Sequence, residues 1–145
     1  MKLSICTAGL CALALVGAGC GDDDNDTLSY DDTGTEIGTI CDSVDFTGLT
    51  GEPKNDAARL DEIIPDFESA IQDVEDLDVD EELASDRDAF VDNAKQQVAI
   101  IKEAQATAES GDKKAYHKKI GETESLGRES DEIASRLGAT ACIEG

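Results

Sequence analysis

Lys113, Lys114, His117, Lys118 and Lys119 form the densest group of side chains in this chain that could do chemistry. On a helix, i, i+4 spacing puts Lys114 on one face with Lys118, and Lys113 with His117. Such a cluster of cations is able to receive an anion. It is equally able to neutralise carboxylates of its own chain, and charge runs are more often paired or solvated faces than ligand sites. Lysines in the first turn of a helix oppose its dipole, at about 0.3–1 kcal/mol each. Acids from preceding helices should therefore lie beside them, with Asp73–Asp80 and Glu103–Glu109 as the candidates. Pairing within the chain is the favoured reading, and anion binding the alternative.

His117 is the only histidine. A zinc site needs several N and S ligands, and none is at hand to join it. A Ser-His-Asp set is available in composition, but no G-x-S-x-G elbow is present to strain a serine into place. Asp76, Asp78 and Asp80 alternate like the start of a calcium loop. The sixth position is Glu81 where glycine is needed and the twelfth is Arg87 where glutamate is needed, so a helix cap by Asp78 or Asp80 is the better account. The Asp22-Asp23-Asp24-Asn25-Asp26 run is able to hold calcium loosely, but such runs are usually solvated spacers. No catalytic residue, metal or cofactor is expected.

The elements that position these residues begin with the leader. Met1-Lys2 gives a positive start, and the largely apolar Leu3–Val16 is shorter than the roughly 20 residues needed to span a bilayer. The small-residue end, Gly17-Ala18-Gly19-Cys20, then gives way to a polar, acidic chain. This junction resembles the lipobox of bacterial lipoproteins, although Gly17 stands where that family usually has leucine. The resemblance covers residues 1–20. It implies a diacylglyceryl group on Cys20, removal of the signal peptide 1–19, and a membrane anchor on the extracytoplasmic side of the bacterial cell envelope.

Of the five cysteines, Cys6 and Cys11 fall in the removed leader. Lipidation of Cys20 leaves Cys41 and Cys142, an even pair of the kind expected in an oxidising compartment, and these are predicted to form a disulfide.

The net charge is −22, from 34 acidic and 12 basic residues. Charge of that size repels nucleic-acid phosphates, so nucleic acid is not an expected partner. The partners implied are the membrane, through the lipid on Cys20, and an envelope protein. Residues 20–35 are rich in acids and turn formers, too poor in apolar side chains to offset ordering entropy, and read as a disordered tether.

Residues 36–145 read as one all-α domain. Ile37, Ile40, Cys41 and Val44 mark a short helix, and Gly48, Gly51 and Pro53 a loop. Leu60, Ile63, Ile64, Phe67, Ile71 and Val74 keep one stripe, with a kink expected at Pro65. Leu83, Phe90, Ala94, Val98, Ile101 and Ala108 make a second. Ser110-Gly111-Asp112 stops that helix and caps the next. Tyr116, Ile120, Thr123, Leu126, Gly127, Ser130, Ile133, Ala134 and Leu137 make a third. Gly121 and Gly127 are expected to let a neighbouring helix come close. The layout predicts a small antiparallel bundle of three long helices and a short N-terminal one, closed by one disulfide. Cys41 in the first helix and Leu137-Gly138-Ala139-Thr140-Ala141-Cys142 just after the last make a layout similar to small helical lipoproteins of bacteria, a resemblance that implies a helical, disulfide-closed bundle. The expected function is a non-catalytic binding or structural module, or else a carrier of divalent cations or a small ligand.

Overall fold

The structure, a computed structural model, describes residues 27–143. Helix α1 spans Tyr30–Asp42, α2 Pro53–Glu75, α3 Glu81–Ser110 and α4 Lys113–Arg136, and a 3-10 turn follows at Thr140–Cys142. Among the described residues there is no strand, only an isolated bridge between Leu28 and Val79.

Local chemistry sets most of these boundaries. Pro53 opens α2 where its missing N–H costs nothing. The helix then runs unbroken through Pro65, which lies on its exposed side. At the end of α3, Gly111 takes φ +74° and the Gly111 and Asp112 amides donate to Ala108 and Thr107 carbonyls. That is a Schellman stop. Asp112 then caps α4, its Oδ1 accepting from the Ala115 amide at 3.0 Å. The cap expected from Asp78 or Asp80 is not made. Asp80 occupies the N-cap position of α3 without a capping hydrogen bond, and its Oδ1 accepts from the Thr27 hydroxyl at 3.2 Å. Arg87 closes the other side of this turn, its Nη1 donating to the Leu77 carbonyl at 2.6 Å and to that of Glu75 at 3.2 Å.

The bundle begins earlier than its hydrophobic period suggests. Residues 30–35, assigned to the disordered tether, form the first turns of α1, and Leu28 is held by backbone hydrogen bonds with Asp78 and Asp80. Thr33 and Gly34 are buried there although neither is large. Close backbone contact does what apolar bulk does elsewhere: a Cβ on Gly34 would sit 2.6 Å from the carbonyl carbon and oxygen of Gly138. Cys20, the signal peptide 1–19 and the remaining tether residues, 20–26, lie outside the described residues.

Helix α3 is the spine. Lys95–Glu75, Lys102–Glu68 and Gln105–Asp61 contacts step in opposite directions along α2 and α3, as Lys119–Glu103 and Arg136–Asp86 do along α4 and α3. Both flanking helices therefore run antiparallel to α3. One core cluster joins Ile37, Ile71, Val74, Phe90, Val98, Ile133 and Leu137, and a second joins Leu60, Ile64, Ile101, Ala104, Ala108 and Tyr116. Cys41 and Cys142 are disulfide-bonded with Cα atoms 5.4 Å apart, fastening α1 to the C-terminal turn.

The middle of α4 departs from its stripe. Tyr116, Ile133, Ala134 and Leu137 are buried, while Ile120, Thr123, Leu126, Gly127 and Ser130 between them are only half-buried. Among the described residues, nothing lies within 4 Å of where a Cβ on Gly121 or Gly127 would stand. The close approach expected at those two glycines is made instead at Gly34 and Gly138.

Candidate functional site

The lysine cluster occupies the first turns of α4, and most of it meets carboxylates. Lys113 pairs with Glu52, Lys118 with Glu122 at 3.6 Å, and Lys119 with Glu103 at 2.5 Å and Glu122 at 2.8 Å. Hydrogen bonding to Glu103 and then to Glu122 raises the Lys119 pKa to about 12. The hydrogen bond from Lys119 holds the Glu122 carboxyl below its ordinary range. Lys114 has no carboxylate within ion-pair distance among the described residues. His117 is exposed and packs beside the Tyr116 ring, with centroids 5.7 Å apart. Of the expected partners only Glu103 is used. Antiparallel packing puts Asp73–Asp80 at the opposite end of α2, and Glu52 and Glu122 take their place.

Beside the cluster is a buried carboxylate that no spacing or motif singles out. Asp56 accepts from the Thr50 amide and hydroxyl and the Gly51 amide, all at 2.8 Å, and from the Tyr116 hydroxyl at 2.7 Å. Burial alone would raise its pKa, but the hydrogen bonds from Thr50, Tyr116 and Gly51 outweigh it and leave the carboxyl below its ordinary value. Burial, then the hydrogen bond to Asp56, pushes the Tyr116 phenol well above its usual range. Tyr116 is thus a fixed donor at neutral pH. The pair is a peg that holds the N-terminal ends of α2 and α4 together.

Away from that peg α2 and α4 part, and the space between them is an apolar cavity of about 660 Å³. Such a volume lies within the range of small-molecule sites. Leu60, Phe67, Ala70, Ile71 and Val74 of α2 form one wall, and Phe90, Val91, Ala94, Gln97 and Ile101 of α3 the floor. Ile40, Cys41 and Val44 close a third side with Phe46 and Leu49 of the following loop. Phe46 stands edge-on to Phe67, centroids 5.3 Å apart, yet Phe46 is 42 % and Leu49 36 % exposed. The α4 wall is different: Thr123, Glu124, Gly127, Arg128, Ser130 and Asp131 give it a polar rim. Gln97 is oriented by donating its Nε2 hydrogen to Asn93 Oδ1 at 2.7 Å.

Among the described residues expected to carry a site, only the disulfide cysteines reach this cavity. Its signal in the sequence is small: Thr123, Gly127 and Ser130 occupy stripe positions where a closed bundle needs Leu or Ile.

The chain matches no family model, no curated protein and no solved structure. No described helix is long and apolar enough to cross a membrane.

Proposed function

We propose that this chain is a lipid-anchored, non-catalytic binding module of the bacterial cell envelope, and that the cavity between α2 and α4 is its binding element. The observation that carries the reading is the cavity itself. Four apolar segments of the chain converge on it without filling it, and a polar rim gives one side where a ligand can enter. In this reading the three longer helices form the receptacle and the shorter α1 walls one side. The lipobox-like Gly17-Ala18-Gly19-Cys20 supplies the anchor. Carbon-lined walls favour a small apolar ligand over a divalent cation, which takes oxygen ligands.

Titrating the folded full chain with the neutral apolar dye Nile red tests the binding reading. Saturable one-to-one binding, with stabilisation growing as RT ln(1 + [L]/Kd), is the expected result. Absence of saturable binding, or stabilisation by calcium or magnesium instead, overturns it. The anchor has its own test: Cys20→Ser should leave uncut precursor and abolish lipid labelling.

A further inference from the structure

The cavity is long. Its lining runs from Phe90 to Ile101 on α3 and from Ile120 to Asp131 on α4, about 16 Å on each at 1.5 Å per residue. Spread over that length, 660 Å³ gives a half-open trough of about 40 Å² in mean cross-section, wide enough to admit an extended alkyl chain. An extended alkyl chain advances about 1.25 Å per carbon, from tetrahedral bonds of about 1.5 Å. Some ten to fourteen carbons therefore match the cavity end to end.

The rim supplies a charge that no other described residue pairs. Arg59, Arg87 and Arg136 each hold a carboxylate. Arg128 alone among the described arginines has none within ion-pair distance, in a chain of net charge −22. It lies on the cavity's lip with Glu124 and Asp131 on the same helix. Those two acids oppose a doubly charged head such as a phosphate monoester. A single carboxylate, gripped by the guanidinium fork, satisfies Arg128 with the least repulsion.

We propose that the cavity binds a single-chain saturated fatty acid of about ten to fourteen carbons, with the chain between α2 and α4 and the carboxylate on Arg128. This rests on the reading of the cavity as a binding site. Arg128 would be a specificity residue, and Gly127 would keep the lip open, since no described residue lies within 4 Å of a Cβ there.

The test is a calorimetric titration of the folded, oxidised full chain with carboxylates of eight to eighteen carbons, each below its micelle concentration. Dodecanol, dodecylamine, a sterol and Nile red are titrated alongside. Affinity should rise roughly 15-fold for each two methylenes, by ordinary transfer energies, and stop rising near fourteen carbons. Dodecanoate should bind about tenfold more tightly than dodecanol and dodecylamine. Arg128→Gln should remove that preference and keep the dependence on chain length. Gly127→Leu should abolish binding while the protein still melts cooperatively. If Gly127→Leu does not fold, the surface change Arg128→Gln decides alone. A flat chain-length series, tighter binding of the amine or the sterol, or an unchanged preference in Arg128→Gln overturns the proposal. Nile red binding without any carboxylate binding defeats this inference and leaves the binding module standing. No binding of either defeats both.

Discussion

The Tyr116 hydroxyl donates to Asp56 Oδ2 at 2.7 Å, across 60 positions of sequence, and ties the start of α4 to the start of α2. Asp56 is fully buried and takes three more hydrogen bonds from Thr50 and Gly51. Removing one donor from a buried carboxylate costs more than breaking a neutral surface contact. Tyr116→Phe should lose about 1–2 kcal/mol, roughly 4–8 °C in Tm, and Asp56→Asn about 1.5–3 kcal/mol. Urea melts at pH 7 measure both.

The same carboxylate predicts a pH dependence. Its folded pKa is depressed, so its contribution is fully present above the unfolded value near 4 and is lost as pH falls through the lower folded value. The stability gap between the parent chain and Asp56→Asn should stay constant from pH 5 to 8 and close below about pH 4. Taking the difference removes the general effect of protonating the many surface acids, which relieves self-repulsion in both proteins alike. A gap that widens in acid contradicts the assigned role.

What was legible in the sequence was periodic or punctuated. The α3 stripe of Phe90, Ala94, Val98, Ile101 and Ala108 is buried. Ser110-Gly111-Asp112 stops one helix and caps another by local rules that need no tertiary partner. Cys41 and Cys142 are joined. What was hidden depends on partners distant in sequence. Asp56 is one acid among 34 until Tyr116 and the Thr50 loop fold around it. Thr33 and Gly34 have no apolar bulk to announce burial. The cavity is a shortfall of volume on α4, visible only once α2 is known to stand across from it.

Glycine positions make this contrast measurable. A Cβ on Gly34 would collide with the Gly138 backbone, which cannot swing aside as a side chain does. Gly34→Ala should therefore cost about 2–3 kcal/mol, in the range for overpacking. Gly121→Ala meets no described residue and should gain about 0.5–1 kcal/mol from helix propensity alone. Denaturant midpoints of opposite sign are the expected outcome. Equal effects would mean that α1 does not pack on Gly138 in solution.

The lysine cluster predicts quiet behaviour. Lys113, Lys118 and Lys119 hold exposed or half-exposed acids, and such pairs contribute little each. Single changes of Lys113, Lys114 or Lys118 to Ala should move Tm by less than about 2 °C. Lys119→Ala should do most of the four, since it frees both Glu103 and Glu122. Added salt should shrink that difference by screening the acids left behind. A large Tm change in Lys114→Ala would show that it has a partner that the structure does not place beside it.

Helix α1 meets the rest of the chain chiefly through the C-terminal turn, and the disulfide is the covalent part of that contact. Tyr30 adds to it, with its ring over Gly138 and its hydroxyl 3.4 Å from the Ser135 carbonyl. Cys41 and Cys142 are 101 positions apart. Closing a loop of that size restricts the unfolded chain by about 4.7 kcal/mol in the chain-entropy model. That is a large share of the 5–15 kcal/mol typical of a folded domain. Reduction, or the double change of Cys41 and Cys142 to Ala, should lower stability by about 3–5 kcal/mol. Because α2, α3 and α4 keep their own packing, the loss should appear first as faster hydrogen exchange in residues 30–42 and 138–142, with α3 amides protected longest. A reduced protein that melts at the oxidised temperature, with α1 still protected, would show that the Gly34–Gly138 contact holds α1 without the covalent link.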